Sequence, residues 1–235
     1  MSLSPLTSLQ VEVTRLFFSL PDSAGFAVAG GAALVARGLI ARPTNDVDLF
    51  LLEAGDSTVR SAAMALETAI DSRGWSHARV IDQHDFIRLT ITDGSDSLIV
   101  DLGRDSPATE ATGSTDLGPT LSPRDLAARK ALALFGRAEG RDFTDVYDLA
   151  QRYGRDRLLE WAAQDDPGFD RRIFVDMLAT IDRLTDDDLP TDSRQASVVR
   201  TYMHDWAAEL TAIPDPSPGQ RQPQQDSARQ DPEHA

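Results

Sequence analysis

The clearest structural signal in the chain is the segment TNDVDLFLL, residues 44–52. Its apolar second part, from Val47 to Leu52, is typical of a buried strand. Asp46 and Asp48 lie two residues apart at the start of that strand, so their side chains point to the same face of a sheet. Two carboxylates this close repel each other unless a cation lies between them, and Mg²⁺ is the usual cation where phosphates are the substrate. The alternative is a solvated strand end, because the Asp-x-Asp pattern is common.

A short strand and a helix are predicted just before this segment, over Phe26–Ala29 and over Gly31–Arg37, with Gly38 ending the helix. Gly30 and Gly31 lie at their junction, where glycines let a phosphate approach the backbone and free amides favour an anion. A tight turn with positive φ is the alternative explanation for the pair. Three polar residues before Asp46 can also donate hydrogen bonds to phosphate oxygens: Arg42, Thr44 and Asn45.

The remaining pattern up to residue 122 predicts two helices and two strands around this centre. The helices are predicted over residues 6–20, ended by Pro21, and over 57–72, capped by Asp56 or Ser57 and ended by Gly74. The strands are Phe86–Thr92 and Leu98–Leu102, joined by the turn Asp93–Asp96. We therefore expect an α/β (α+β) domain over residues 1–122, with a small mixed sheet flanked by helices.

After residue 122 the pattern is almost entirely helical. Ser122 and Pro123 are typical of a helix start, and further helices are predicted over 142–153, 155–164, 170–184 and 193–212. We expect a helical bundle over residues 123–212. Residues 213–235 are rich in Pro, Gln and Asp and predict a disordered tail.

Two charged residues outside the first segment are further candidates for the site. Asp101 ends an apolar strand, where an ionised carboxyl needs a partner; the partner is either a metal ion shared with Asp46 and Asp48 or Arg88 on the paired strand. Lys130 is the only lysine among 23 basic residues, and it shares a helix face with apolar residues. We expect Lys130→Ala to abolish activity without unfolding the protein.

The helix predicted over 142–153 carries three acids at helical spacing. Asp142, Asp145 and Asp148 follow one another at intervals of three residues, interleaved with Phe143, Val146 and Leu149. A solvated helix face is the ordinary explanation for such an acidic stripe. Part of a catalytic cleft is the alternative.

Composition limits the kinds of protein that the chain can be. The 235 residues carry a net charge of −15 and no cysteine, which excludes thiol catalysis, thiolate zinc sites and a disulfide scaffold. No apolar run approaches the roughly 20 residues that span a bilayer, and no secretory signal begins the chain, so we expect a soluble cytoplasmic protein without a membrane partner. The acidity also argues against a general nucleic-acid coat.

Taken in order, these motifs resemble the polymerase-β-type nucleotidyltransferase superfamily. The later lysine and the pattern Arg141-Asp142-x-x-Asp145 make the chain more specifically similar to the AbiEii/AbiGii family of nucleotidyltransferase toxins, which includes the mycobacterial MenT-type proteins. The resemblance covers residues 25–150. The chain departs from the family pattern at Arg141, where lysine is frequent, and at Thr44, where serine is frequent.

The resemblance implies a role for each matching residue. Asp46 and Asp48 would bind Mg²⁺ with Asp101 as a third acid, and Lys130 would stabilise charge on phosphate. Asp142 would be the acid of the last motif, although the pattern does not separate its role from that of Asp145. The residues implied to hold the NTP are Gly30, Gly31, Arg42, Thr44 and Asp145.

The function implied by the resemblance is Mg²⁺-dependent transfer of a nucleotide from an NTP to the 3′ end of a tRNA, as the toxin of a toxin–antitoxin pair with a cognate antitoxin. Two alternatives stay open. One is nucleotidyl transfer to a small hydroxylated molecule such as an aminoglycoside, which the acidic composition favours. The other is a catalytically inactive fold that acts only by binding. Because a tRNA partner needs a cationic surface, we expect one to be formed by arginines of the helical part: Arg152, Arg155, Arg157, Arg171 and Arg172.

Overall fold

The computed structural model describes residues 6–52 and 57–212, and a seven-stranded mixed sheet lies at the centre of this part of the chain. The order of the strands across the sheet is β3-β4-β5-β2-β1-β7-β6. The pairs β2–β5 and β1–β7 are parallel, and the other neighbours are antiparallel. The strands are β1 (Phe26–Ala29), β2 (Asp46–Leu51), β3 (Ser76–Asp82), β4 (Phe86–Thr92), β5 (Ser97–Arg104), β6 (Gly113–Thr115) and β7 (Gly118–Thr120).

Helices cover one face of this sheet and continue after it as a helical part. The α-helices of the described residues are α1 (Ser8–Phe18), α2 (Gly30–Ala36), α3 (Val59–Ser72), α4 (Pro123–Gly136), α5 (Gly140–Tyr153), α6 (Arg155–Asp165), α7 (Arg171–Ala179) and α8 (Ser193–Ala212). Helices α1, α2 and α3 contact the sheet, whereas α4 to α8 pack mainly on one another and α4 also contacts α2. The mixed α/β fold and the helical C-terminal part are confirmed. None of the described helices combines the length and the apolar character that crossing a membrane requires.

The two faces of the sheet differ in what covers them. On β2, Val47 and Leu49 are fully buried, and in the parallel register they lie beside Val100 and Leu102 of β5, on the side of α3. Asp46, Asp48 and Phe50 alternate with these residues and therefore point to the opposite face. Ile99 of β5 lies on that opposite face and is 39% exposed. The acid-bearing face of the sheet is thus open beside β5.

Helices α3 and α4 each begin after a polar capping residue, and the predicted cap of one of them is corrected. Ser122 caps α4 as expected, because its side chain accepts a hydrogen bond from the backbone of Asp125. The cap of α3 is Thr58, not Ser57: its hydroxyl and that of Ser61 each accept a hydrogen bond from the other residue's backbone amide. The other predicted cap, Asp56, lies outside the described residues.

Three strands of the sheet were not predicted. Strand β3 is an edge strand whose residues are all at least partly exposed, so it carries no apolar alternation that a sequence pattern could reveal. Strands β6 and β7 have only three residues each. The helix predicted over 170–184 ends at Ala179, and a short 3₁₀ helix follows over Thr180–Arg183. The predicted tail, residues 213–235, lies outside the described residues.

Candidate active site

The register of the sheet brings three carboxylates together on its open face. Asp46 and Asp48 point to the same side of β2, and Asp48 pairs in register with Asp101 of β5. Arg88 of β4 pairs with Asp101 on the other side. Asp48, Asp101 and Arg88 therefore form a row across three strands. Asp46 lies on the same face, two residues before Asp48 on β2. The structure thus places all three predicted acids on one face of the sheet.

The glycine turn before α2 makes room for one of these carboxylates. Gly30 has a φ of +59°, a conformation that side chains other than glycine rarely adopt, and a Cβ atom at this position would lie 1.7 Å from Oδ2 of Asp48. Gly31 is restricted differently, because a Cβ there would lie 2.8 Å from the hydroxyl oxygen of Thr44. The glycine pair is required by the close approach of site residues as well as by the turn.

A Gly30→Ala substitution tests this packing, and Gly38→Ala is its matched control. Gly38 has a similar φ of +63°, but a Cβ there meets nothing within 4 Å. We expect both variants to lose about 1–2 kcal/mol of stability, because alanine is strained in the left-handed conformation. Only Gly30→Ala should also displace Asp48, so its activity should fall far more than that of Gly38→Ala. Melting temperature and NTP-dependent transfer are the measurements. Equal activity in the two variants would contradict the assignment of Gly30 to the site.

Thr44 extends the acidic pair although it precedes the strand. Its hydroxyl donates a hydrogen bond of 2.8 Å to Oδ1 of Asp46, and its backbone carbonyl accepts one from the buried side chain of Gln10 on α1. Thr44 is therefore fixed from both sides. A hydroxyl at this position orients the carboxylate that follows two residues later.

Next to the acids of β2, the helical part contributes a buried group of opposite charges. Nζ of Lys130 on α4 lies 3.2 Å from Oδ1 of Asp142 and 3.1 Å from Oδ2 of Asp145, both on α5. The side chain of Asp142 is fully buried and that of Asp145 almost fully, so the solvated-face interpretation of this helix is wrong for these two acids. Lys130 is buried beside Leu126 and Leu134, as its predicted apolar face requires.

Two arginines, one largely buried and one exposed, complete this group of charges. Arg42 holds Asp145 in a bidentate pair with distances of 2.6 and 2.7 Å. Arg137 donates to Asp142 from Nε at 2.9 Å and from Nη2 at 3.2 Å. Arg42, expected to contact phosphate, is thus engaged by a carboxylate, and Asp142 and Asp145 hold cations in place. Sequence reasoning missed Arg137, and its position just beyond α4 offers no motif by which to find it.

Arg141 connects the helical part to the acids of the sheet. Its Nη1 lies 3.1 Å from Oδ2 of Asp46, and its Nε donates to Glu139 at 3.0 Å. In the sequence, Arg141 belongs to the pattern Arg141-Asp142-x-x-Asp145, at a position where lysine is frequent in the family. The structure adds that it contacts a candidate metal ligand directly.

The titration of the acids reflects this distribution of charge. Burial, together with the negative charges of Asp46 and Asp101, raises the pKa of Asp48 to about 7, and the charge of Lys130 only partly offsets this. Burial would also raise the pKa of Asp46, but the hydrogen bond from Thr44 and the charge of Arg141 bring it below its ordinary value. The positive charges around Asp48 therefore do not balance its burial and the repulsion from the neighbouring acids.

The carboxylates have the chemistry that a divalent cation requires. They would supply only some of its ligands. The donors are hard carboxylate oxygens, and the raised pKa of Asp48 is the signature of a site where a cation would relieve repulsion. Among the described residues, no cluster of three or more acidic, His or Cys side chains is arranged as a complete metal site. Mg²⁺ is commonly bound by one or two carboxylates, with water and substrate phosphates as its other ligands. Asp46 and Asp48 are the pair that would hold it.

Comparisons with known proteins agree with this architecture. The family described as "Nucleotidyl transferase AbiEii toxin, Type IV TA system" matches residues 15–230. The chain is similar to the crystal structure of JHP933 from Helicobacter pylori, with 16% identity, a TM-score of 0.50 and coverage of 88% of this chain and 98% of that one. A second H. pylori structure, described as a candidate nucleotidyltransferase, gives 16% identity, a TM-score of 0.51 and coverage of 87% and 99%.

No protein with a curated description matches the chain significantly. The two structural likenesses, at 16% identity, establish a shared fold. The family match is broader, since it spans the sheet, the glycine turn, the acids of β2 and the helices that carry Lys130 and Asp142. This protein belongs to the AbiEii family of nucleotidyltransferase toxins of type IV toxin–antitoxin systems.

Proposed function

We propose that the protein transfers a nucleoside monophosphate from an NTP to the 3′-hydroxyl of a tRNA, with Mg²⁺, and that this reaction is its toxic activity. The observation that carries the proposal is the meeting of the acid-bearing strand and the cations of the helical part. Asp46 and Asp48 lie on one face of β2, Arg141 contacts Asp46, and the charge of Lys130 acts on Asp48. Nucleotidyl transfer from a triphosphate to a hydroxyl needs carboxylates that would hold a metal ion and a fixed cation near the phosphates.

The triphosphate would lie between the glycine turn and the cations of the helical part. Gly30 and Gly31 present backbone without side chains next to Asp48 and Thr44. Lys130 is held by two buried carboxylates, so its ammonium group is fixed before substrate arrives. Such preorganisation stabilises charge that develops on the phosphates without reorganisation of the side chain. In this proposal Asp142 and Asp145 act by positioning Lys130, Arg137 and Arg42.

In the reaction, the acceptor oxygen forms a bond to the α-phosphorus while the bond from that phosphorus to the β-phosphate oxygen breaks, releasing pyrophosphate and a proton. A bound Mg²⁺ would supply charge neutralisation at the phosphates. Asp46 and Asp48 would bind it, and Thr44 and Arg141 orient Asp46. Gly30 allows Asp48 to reach its position.

The choice of tRNA as acceptor rests on the resemblance to the MenT-type proteins, and a cognate antitoxin follows from the toxin–antitoxin family. The predicted cationic surface of the helical part is weaker than expected. Arg155 lies over the ring of Tyr202 and pairs with Glu209, and Arg157 pairs with Glu160. The net charge of −15 favours the second candidate acceptor, a cationic small molecule such as an aminoglycoside.

The test is transfer of label from each α-labelled NTP to total tRNA in the presence of Mg²⁺, with an aminoglycoside panel in parallel. We expect label on tRNA, loss of at least about 10²-fold in Asp46→Asn, and no change in Asp96→Asn, which removes a carboxylate from an exposed turn. Label on an aminoglycoside alone would show that the acceptor is the small molecule and not tRNA. Label on neither substrate would overturn the proposal.

A further inference from the structure

Asp101 is occupied in a way that a metal ligand is not. Nε and Nη2 of Arg88 donate to its two carboxylate oxygens, each at 2.7 Å. Asp101 is 4% exposed, and Asp48 lies beside it in the register. A bidentate arginine pair of this kind is strong and fixes the plane of both groups. The carboxylate of Asp101 is therefore directed at Arg88.

Arg88, by contrast, reaches solvent on the open face of the sheet. Its side chain is 37% exposed, and its pair with Asp101 uses Nε and Nη2, which leaves Nη1 directed away from that carboxylate. The guanidinium lies 5.8 Å from the ring centroid of Phe86 on the same strand. Asp101 and Phe86 thus hold a cation at the surface, two strands away from the acids of β2.

This position lies on the side from which an acceptor can enter. On the other side of β2, the glycine turn and Thr44 border the acids, and Arg141 crosses to Asp46 from the helical part. Towards β5 and β4, the helices α1 and α3 cover the opposite face. Ile99, beside Asp46 in the register, remains exposed. A polymer whose end reaches Asp46 and Asp48 from this side passes over β5 and β4.

We propose that Arg88 binds a phosphate near the 3′ end of the RNA acceptor and that Asp101 is the positioning residue that holds Arg88 for this contact. The inference rests on the proposed function and names the part of the site that receives its acceptor. It assigns Asp101 a role through Arg88 and leaves the metal to Asp46 and Asp48. A fixed cation at this point also offsets the repulsion of RNA by an acidic chain.

The test compares Arg88→Met, Arg88→Lys, Asp101→Asn and the double variant Arg88→Met/Asp101→Asn. The chain offers a matched control in Arg79→Met, because Arg79 holds Glu67 in a bidentate pair with distances of 2.6 and 2.7 Å. Arg79 lies in register with Leu89, whose side chain is buried on the α3 side of the sheet. The double variant leaves no buried carboxylate without its partner, so it remains usable where Arg88→Met unfolds.

Steady-state kinetics with tRNA and binding of 5′-labelled tRNA at several salt concentrations are the measurements. We expect Arg88→Met to raise KM for tRNA and the Kd about 10- to 100-fold, with kcat and KM for NTP changed less than about threefold. The slope of log Kd against log salt should fall by about 1. Arg88→Lys should restore part of the loss, the double variant should match Arg88→Met, and Arg79→Met should bind RNA normally.

Two results would overturn the inference. One is unchanged tRNA affinity in both Arg88→Met and the double variant. The other is a fall in kcat at saturating tRNA in Asp101→Asn, together with a higher Mg²⁺ requirement, which would make Asp101 a metal ligand. Absence of transfer to any RNA by the unmodified protein is a different result, because it removes the proposed function itself.

Discussion

Replacing Asp48 with Asn is expected to abolish transfer and to make the metal-free protein more stable. Asp48 is one of two carboxylates that would hold the metal, and loss of several kcal/mol of charge stabilisation corresponds to about a 10³-fold lower rate. In the metal-free protein the same carboxylate is buried next to Asp46 and Asp101, whose charges repel it. Asn removes that repulsion, so the free energy of unfolding should rise by on the order of 2 kcal/mol at pH 8 in EDTA.

The pH dependence gives the sign of this effect. The pKa of Asp48 is raised from 3.8 to about 7, so between these values the folded protein holds a proton that the unfolded chain has released. The stability that Asp48 contributes is therefore present below about pH 4 and is lost as the pH rises to about 7. The gain in Asp48→Asn should be absent at pH 4 and complete above pH 7. Denaturant unfolding across this range measures it, and equal stability of both proteins at pH 8 would contradict the repulsion.

Replacing Lys130 with Met is expected to remove activity and to destabilise the protein as well. Lys130 lies between the buried carboxylates of Asp142 and Asp145, and removing one partner of a buried ion pair costs about 3–5 kcal/mol. Arg137 and Arg42 still neutralise these carboxylates, so we expect about 3 kcal/mol and a folded variant. The sequence alone predicted an intact fold for Lys130→Ala. The structure gives this lysine a structural contact in addition to its candidate role on phosphate.

The two roles of Lys130 can be separated by variants and by temperature. Arg60→Met removes an exposed cation of α3 that pairs with Asp82, and it should change stability by less than about 0.5 kcal/mol and leave activity intact. Transfer by Lys130→Met should be measured well below its melting temperature, with circular dichroism recorded on the same sample. Activity that returns at low temperature would show that Lys130 acts through stability alone.

The central part of the fold was readable from sequence because its signals are local. The strand at Val47, the hairpin at Asp93–Asp96 and the cap at Ser122 each depend on neighbouring residues, and all three are found close to where they were predicted. Strand β3 was not readable, since an edge strand with polar residues on both faces lacks a hydrophobic period. Strands β6 and β7 depend on pairing with each other and with β1, which lies far away in the chain.

The residue types of the site could be predicted from the sequence. The ion-pair partners of its charged side chains mostly could not. The carboxylates of β2 follow from the two-residue period of a strand. Sequence reasoning could name Arg88 only as one of two partners for Asp101, because the register of β4 and β5 decides between them. It placed Arg42 on phosphate, whereas the structure pairs it with Asp145 across 103 residues. Long-range ion pairs of this kind are set by tertiary packing, which leaves no trace in the spacing of residues.

The contact between Arg141 and Asp46 joins residues 95 positions apart in the chain. A ribosome adding about 5–20 residues per second needs about 5 to 20 s to extend the chain from one to the other. During that time the nascent chain contains the acids of β2, whereas Arg141 and the two acids that pair with Lys130 have not yet been synthesised. In the proposed function, a nascent chain that ends before residue 141 therefore lacks part of the site, and transfer begins only when α4 and α5 have been synthesised and have folded against β2.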